Sequence, residues 1–147
     1  MLDRRGRIYD DLLELQSLKN VATSQAGAID GTAATVDLGE GYVDGMFVVD
    51  VTIMSKKIAG AGWAVQLQGA LDGSHASWVP LATIYMGDNA AGGGFTELRT
   101  PDDHGIGRYM APFHNDYGGT IYRYARAYIW EGGSCGTGIT LRAFLSK

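Results

Sequence analysis

Few residues of the types that carry out chemistry stand in a recognisable arrangement in this sequence. The 147 residues include three histidines, one cysteine and 16 aspartates and glutamates. His75, His104 and His114 do not form the H-x-H or H-x-x-x-H pairs found in many metal sites. Asp102 and Asp103 adjoin His104, but consecutive side chains point in different directions and chelate poorly. The sequence therefore predicts a solvated turn there, and neither a metal nor a cofactor.

Nucleophile and phosphate-binding motifs are also missing from the sequence. Cys135 stands in Gly-Gly-Ser-Cys-Gly, with no basic neighbour to activate its thiol. No serine lies in a nucleophile elbow, and Gly92-Gly93-Gly94 is not followed by the Lys-Ser/Thr of a phosphate loop. Asp88 and Asn89 lack the ligand pattern of a calcium loop. The carboxylate content leaves a pair for glycoside hydrolysis open, but no pair stands out, so an enzyme ranks behind a structural or binding protein.

Composition narrows the choice of partners. Twelve lysines and arginines against 16 acidic residues give a formal net charge of −4, which argues against a nucleic-acid surface. A single cysteine cannot form an internal disulfide and fits a protein made in a reducing cytoplasm. Arg4, Arg5 and Arg7 make the start of the chain basic, but acidic residues interrupt the apolar stretch that a signal peptide or transmembrane helix needs. We therefore expect neither a signal peptide nor a membrane partner.

Alternation of apolar and polar residues is the main structural feature of the sequence. A period of two places successive side chains on opposite faces of a strand, so that one face can be buried. The 22 glycines gather in short clusters between such stretches, as expected of tight turns. The alternating apolar sets, which define the predicted core face, are Phe47, Val49, Val51 and Ile53; Trp63, Val65, Leu67 and Leu71; and Ile139, Leu141, Ala143 and Leu145.

These patterns predict nine strands in one domain. Asp72-Gly73 is a hairpin-type turn, and short strands at this spacing are typical of a sandwich, jelly roll or barrel. We therefore expect an all-β fold in a single domain over residues 21–147, with these three architectures still open. The predicted strands lie near residues 22–29, 33–38, 46–54, 62–71, 78–86, 94–100, 106–113, 120–130 and 137–145.

Residues 1–20 precede the strand pattern and are predicted to form an N-terminal arm or a short helix. Ile8, Leu12 and Leu15 follow the i, i+4, i+7 spacing of one helical face, and the same residues could instead lie extended along a partner. Because this leucine-rich stretch follows a basic start, the segment is the predicted partner-binding site. The residues assigned to that site are Leu2, Arg4, Arg5, Arg7, Leu12 and Leu15.

The predicted strand near 120–130 differs from the others because neither of its faces is plainly polar. A strand that is apolar on both faces is usually covered on both. It is either a central strand beneath a loop or the N-terminal segment, or a subunit interface, where Tyr, Trp and Arg are enriched. The residues assigned to an oligomer interface are Tyr122, Tyr124, Arg126 and Tyr128.

The aromatic residues allow a second interpretation, a sugar-stacking platform like that of a carbohydrate-binding module. Trp63, Trp78 and Trp130 and the eight tyrosines would supply its rings. Their alternation with aliphatic residues instead favours packing in the core. The two interpretations differ in whether these rings face solvent.

Three stretches of the C-terminal half resemble the capsid cement (decoration) proteins of tailed bacteriophages. Met1-Leu2-Asp3, and Gly39-Glu40-Gly41 before an apolar strand, are similar as well. The similarity covers about residues 35–147. The three stretches are Arg108-Tyr109-Met110-Ala111-Pro112-Phe113-His114-Asn115, Tyr122-Arg123-Tyr124-Ala125-Arg126-Ala127-Tyr128, and Ile139-Thr140-Leu141-Arg142-Ala143-Phe144-Leu145-Ser146 after a glycine-rich turn.

This resemblance implies a single-domain, jelly-roll-like antiparallel β-sandwich without enzymatic activity. Such a protein lies on the outer surface of the virion and is made in the host cytoplasm. Such proteins bridge neighbouring major capsid protein subunits, often as symmetric oligomers. The resemblance therefore implies two partners, the major capsid protein and a second or third copy of the chain. A carbohydrate- or host-receptor-binding module of a virion is the alternative function.

Overall fold

The computed structural model describes residues 13–54, 62–87, 106–132 and 138–146. These ranges form β-strands joined by turns, as their alternating apolar residues predict. In chain order the strands are β1 (Glu14–Val21), β2 (Gln25–Ala26), β3 (Ala28–Ile29), β4 (Thr32–Ala33), β5 (Val36–Asp37), β6 (Asp44–Met54), β7 (Gly62–Ala70), β8 (Val79–Gly87), β9 (Gly107–His114), β10 (Asp116–Tyr117), β11 (Thr120–Ile121), β12 (Tyr124–Gly132) and β13 (Ile139–Ser146).

Two antiparallel sheets make up the body of the fold. The first has four strands in the order β1-β13-β6-β9. The second has the order β2-β12-β7-β8, with β5 pairing to another part of β12. Two small hairpins, β3–β4 and β10–β11, complete the pattern. The predicted all-β antiparallel sandwich is confirmed, while jelly-roll connectivity stays a prediction, as does the strand near 94–100, which lies outside the described residues.

One apolar core lies between the two sheets. Phe47, Val49 and Leu141 of the first sheet pack in the same cluster as Trp63 and Leu67 of the second, and all five have no solvent exposure. The alternation therefore identified the core face correctly over most of the three predicted sets. Burial of a leucine-sized side chain contributes roughly 1.5–3 kcal/mol, so this face is the main apolar contribution to stability.

Two residues of the predicted core sets are exposed instead. Ile53 is 60% exposed because β6 carries an irregularity against β13, where Thr140 pairs with Ile53 but Leu141 pairs with Val51. The extra residue in β6 shifts the alternation, as a β-bulge does. Leu71 is 55% exposed because β7 ends one residue earlier and Leu71 begins the turn.

The predicted helix or arm is wrong for the part of the N-terminal segment that the structure describes. Glu14–Val21 is a strand that pairs with β13, from Glu14 opposite Phe144 to Val21 opposite Ile139. Leu15, assigned to partner binding, has no exposure and belongs to the core. The backbone ladder to β13 explains this, since it satisfies the peptide groups that a helix would satisfy locally. Leu2, Arg4, Arg5, Arg7 and Leu12 lie outside the described residues.

A glycine lies between the two sheets where the chain passes from β2 to β3. The Gly27 N–H donates to the Ala127 carbonyl (2.8 Å), and a side chain on Gly27 would collide with the Leu15 carbonyl oxygen. The buried Gln16 reinforces the crossing, because its Oε1 accepts from the Ala28 N–H at 2.9 Å. Only a residue without a Cβ allows β1 and β12 to approach this closely.

Each sheet has an outer strand that contains a proline. Within the described residues β8 pairs only with β7, and β9 only with β6. Pro80 in β8 stands opposite Gln68, next to an irregularity of the pairing, and Pro112 in β9 stands opposite Met46. Proline lacks the N–H that a central strand must donate, so both positions fit outer strands.

Replacing Leu15 with alanine should test whether β1 belongs to the core. We expect Leu15→Ala to lower the free energy of unfolding by about 2–5 kcal/mol, the usual cost of a cavity. Leu18→Ala is the matched control on the same strand, where the side chain is 48% exposed, and should change stability by less than about 0.5 kcal/mol. Urea unfolding of both variants measures the difference. Equal effects at the two positions would contradict the pairing of β1 described here.

Candidate binding surface

Strand β12 directs small side chains inward and large ones outward. Ala125, Ala127 and Ile129 have no exposure and face the core. On the opposite face the side chains are half-buried or exposed, with Trp130 42% exposed. We call this outer surface the aromatic face. Its members are Tyr124, Arg126, Tyr128 and Trp130 of β12, Gln66 and Gln68 of β7, and Trp78 in the turn before β8.

The Arg126 guanidinium lies at the centre of the aromatic face. Its Cζ is 4.2 Å from the centroid of the Trp78 ring and 5.2 Å from that of Tyr128. Such cation–π contacts stabilise a protein by roughly 0.5–1 kcal/mol when exposed and more when desolvated. The Tyr128 ring in turn packs on Trp130, with centroids 4.5 Å apart. The guanidinium and the three rings therefore hold one another in place.

A row of amides fixes the same guanidinium from the side. Arg126 Nε donates to Gln68 Oε1 (2.8 Å), and Gln68 Nε2 donates to Gln66 Oε1 (2.7 Å). Gln66 Nε2 continues the row to the Thr83 hydroxyl (3.2 Å) on β8. The strand register produces this row, since Arg126 stands opposite Gln68 and Gln66 stands opposite Thr83. Three strands thus contribute to one preorganised polar line beneath the rings.

Burial already removes part of the water around Arg126. This burial lowers the pKa of its guanidinium, while the neighbouring Tyr128 acts in the opposite direction. The side chain nevertheless keeps its charge, as arginine does in proteins generally. Because the group is held and partly desolvated before any partner arrives, covering it costs less ordering and desolvation than covering a free arginine.

The rings of this region do not lie in one plane. The planes of Tyr128 and Trp130 are inclined by 46°, those of His75 and Trp78 by 37°, and those of His75 and Tyr124 by 66°. A flat sugar platform requires rings that share an orientation, and here Arg126 already lies over Trp78. The arrangement fits side-chain packing against a protein better than stacking on a sugar.

Tyr122 does not share this face with the other three predicted interface residues. It precedes β12, and its ring packs against Tyr117 of the β10–β11 hairpin at 6.4 Å. A Cβ on Gly69 would lie 2.9 Å from the Tyr122 Cβ, so Tyr122 covers the end of β7 instead. The predicted strand over 120–130 is interrupted, since β11 ends at Ile121 and β12 begins at Tyr124.

Sequence reasoning missed the residues that complete the aromatic face. Gln66 and Gln68 alternate with core residues, so the sequence pattern correctly predicts that they lie on the face opposite the core. Their position relative to Arg126 depends on the pairing of β7 with β12, which are distant in sequence. Trp78 is among the possible stacking rings, but it lies just before β8, and its contact with Arg126 follows from no sequence periodicity. Of the three tryptophans, Trp63 is in the core and the other two lie on the aromatic face.

The other candidate catalytic side chains that the structure describes make hydrogen bonds or ring contacts within turns and between strands. The Ser74 hydroxyl donates to Asp72 in the predicted Asp72-Gly73 turn, and Ser24 accepts from the Glu131 N–H. His114 lies beside the Tyr42 ring. Asp102, Asp103, His104 and Cys135 lie outside the described residues. In the described ranges no three His, Cys, Asp or Glu side chains gather to hold a metal ion.

No helix in the described ranges is both long and apolar enough to span a membrane.

An ion pair anchors the start of β12. Arg123 donates to both Asp37 carboxylate oxygens, at 2.8 and 2.9 Å, and the Leu38 N–H donates to the Arg123 carbonyl. The hydrogen bond from Arg123, followed by that from the Gly39 N–H, holds the pKa of Asp37 down to about 2. The pair is solvent-accessible, so screening keeps its contribution modest.

Comparison of the sequence with known protein families and with curated proteins finds no match.

The Asp37–Arg123 pair should make stability depend on pH. The folded-state pKa of Asp37 is lowered from 3.8 to about 2, so its stabilising effect is present above pH 4 and is lost as pH falls toward 2. We expect Asp37→Asn to lose less stability than the wild type between pH 4 and pH 2, and Arg123→Gln to behave similarly. Thermal melts across that range provide the comparison. A wild-type profile that Asp37→Asn leaves unchanged would show that the pair does not contribute.

Proposed function

We propose that this protein is a non-enzymatic cement protein on the outer surface of a tailed-phage capsid. In this role it associates with copies of itself and bridges neighbouring major capsid protein subunits. The proposal starts from the resemblance in three stretches of the sequence, which correspond to β9, β12 and β13 with short flanks. The proposal of a non-enzymatic role rests on that resemblance and on the lack of a recognisable catalytic motif in the sequence.

The observation that carries the proposal is the preorganised aromatic face. Tyr, Trp and Arg are the residues that most often dominate the energetics of protein interfaces. Here Tyr128, Trp130 and Arg126 are held together by ring contacts and by the amide row. The cation–π contacts of Arg126 stabilise the free protein only modestly, whereas a protein interface would also gain affinity from an arginine that is already held and partly desolvated.

Self-association through this face would give the protein the two arms that cementing needs. A closed two-fold dimer uses the same patch on both copies. Each copy then presents its remaining surface to a different capsid subunit. Two modest contacts on one dimer act at high effective concentration, so together they bind far more tightly than either alone.

Binding of this kind stabilises the assembled shell by mass action. A ligand that binds the intact shell but not its separated subunits lowers the free energy of the shell by RT ln(1 + [L]/Kd) per site. At 100 times Kd this is about 2.7 kcal/mol per site. Many sites per shell turn this modest term into a large resistance to rupture.

A carbohydrate- or receptor-binding module is the competing function, because aromatic rings and fixed amides also recognise sugars. The inclination of the rings and the guanidinium over Trp78 count against a flat sugar platform. A glycan array separates the two functions, since a lectin binds sugars as a free domain and a cement protein does not.

Introducing a charge at Trp130 should disrupt self-association. We expect wild-type protein to sediment as a dimer or trimer at micromolar concentration, and Trp130→Glu to shift it toward monomer, because the carboxylate would have to be buried in an apolar contact. Leu18→Glu is the matched control, at a similarly exposed leucine on the first sheet. It should melt and associate like the wild type. Wild-type protein that is monomeric at high micromolar concentration would contradict association through the aromatic face.

Adding the protein to DNA-filled capsids that lack it should raise the temperature at which they release DNA. The direction follows from linkage, because a ligand that prefers the intact shell must stabilise it. Release is followed with a DNA-binding dye during heating, and bound protein is quantified by sedimentation of the capsids. Capsids that bind the protein in a fixed ratio yet release DNA at an unchanged temperature would contradict cementing and favour host attachment.

A further inference from the structure

Three loops meet at one end of the sandwich, which we call the loop end. They are residues 38–43, 71–78 and 115–123. The strand register brings them together: β6 begins at Asp44 opposite His114, the last residue of β9, and β12 begins at Tyr124 opposite Ala70, the last residue of β7. The loop end is thus built from both sheets, and it adjoins the aromatic face at Trp78, which belongs to the 71–78 loop and lies against Arg126.

Exposed apolar side chains concentrate at the loop end. The described residues contain eight large apolar side chains that are exposed, and four of these lie here. Single exposed apolar residues are normal, but a cluster of them marks an interaction surface. The four are Tyr42 (59% exposed), Leu71 (55%), Tyr117 (49%) and Ile121 (41%).

Hydrogen bonds from one buried amide fix the backbone beneath these side chains. Asn115 has no exposure, and its Nδ2 donates to the carbonyls of Gly41 and Tyr122 at 3.0 Å each. Its Oδ1 accepts from the Val43 N–H at 2.8 Å. Two of the three loops are therefore held together before a partner binds, which reduces the ordering cost of binding.

The third loop, residues 71–78, follows β7, and β7 passes close to Tyr122 in the 115–123 loop. A Cβ on Gly69 would lie 2.9 Å from both the Tyr122 Cβ and a Leu81 methyl group. Leu71 follows two residues later, and the Tyr122 ring contacts Tyr117. The end of β7, which leads into the 71–78 loop, therefore lies beside Tyr122 of the 115–123 loop.

Carboxylates outnumber cations in the sequence of the three loops and beside it, while the Arg126 guanidinium of β12 lies over Trp78. Among the described residues in and next to the three loops, five are carboxylates and one is a guanidinium. The guanidinium, on Arg123, is bound to Asp37, and the Glu40 side chain is 91% exposed. The five carboxylates are Asp37, Glu40, Asp44, Asp72 and Asp116.

We infer that the loop end docks onto the major capsid protein at an apolar patch bordered by lysines and arginines. The inference rests on the proposed function and specifies the contact that it requires. Complementary charge is the reason for a basic border, since like charges across an interface weaken association. The same repulsion argues against a second copy of this chain as the occupant, because two acidic borders would face each other. It argues equally against nucleic acid.

Binding to purified, undecorated shells tests this contact. The full-length protein is mixed with shells that lack it, and the bound fraction is measured by sedimentation at several concentrations. We expect Tyr42→Ser combined with Tyr117→Ser to weaken binding by at least about tenfold, as loss of interface anchors does. Leu18→Ser, on β1, is the control for removal of an exposed apolar side chain and should bind like the wild type.

Charge is tested separately with variants that keep the size of each side chain. Glu40→Gln combined with Asp44→Asn should weaken binding at low salt and make it less dependent on salt. Asp30→Asn, in the exposed β3–β4 turn, removes one carboxylate elsewhere and should leave the salt dependence unchanged. Thermal melts show that each variant is folded.

The outcomes separate this inference from the proposed function. Shells that do not bind the wild-type protein would overturn both. Shells that bind the wild type and the loop-end variants equally would overturn the inference and leave cementing intact. Loop-end variants that become monomeric while Trp130→Glu stays associated would show that a second copy occupies the loop end, which would also overturn the inference.

Discussion

The position of the two sheets at the loop end depends on one buried amide. Asn115 directly follows β9, an outer strand of the first sheet. Its backbone and side chain form hydrogen bonds with Val43, which precedes β6, and with Tyr122, which precedes β12. A buried polar group left without a partner costs roughly 1–3 kcal/mol. Any shift of one sheet against the other would break several of these bonds together. The same bonds hold Tyr122 two residues before β12, whose ladder with β7 then sets the arrangement of the aromatic face.

The core could be predicted from sequence because a strand with one buried face has an apolar residue at every second position, a pattern visible within the strand itself. The burial of Phe47, Val49 and Trp63 could be predicted without knowing which residues lie next to them in space. The predictions were wrong where pairing between strands distant in sequence determines the exposure or the conformation of a residue. Ile53 is exposed because of a bulge against β13, and β1 pairs with residues about 120 positions away. The helical spacing of Ile8, Leu12 and Leu15 carried no information about that partner.

The candidate site was predictable to a smaller extent for the same reason. Alternation placed Tyr124, Arg126 and Tyr128 on one face, and the structure agrees. It could not give the amide row, since Gln68 meets Arg126 only through the β7–β12 register. Turn residues such as Trp78 follow no period. Tyr122 lies apart from these three because β12 begins only at Tyr124, a boundary that the sequence does not show.

The unusual distribution of side-chain volume on β12 has a cause in the core. A strand normally points its larger residues inward, but here Ala127 lies where Gly27 and β1 pass closest, 3.3 Å from the position of a Cβ on Gly27. No space remains on that side for a larger side chain without overpacking. The tyrosines and Trp130 therefore face outward, and their apolar surface becomes available to another molecule.

The prolines of the two outer strands bear on the behaviour of the protein at high concentration. An outer strand with an unbroken row of N–H and C=O groups can recruit any extended chain and grow into fibres. Pro80 and Pro112 each remove a donor from such a row. Concentrated copies thus resist growth by backbone pairing along β8 and β9. Along these two strands association is left to side chains, whose shapes and charges distinguish one partner from another, whereas a bare backbone edge accepts almost any strand.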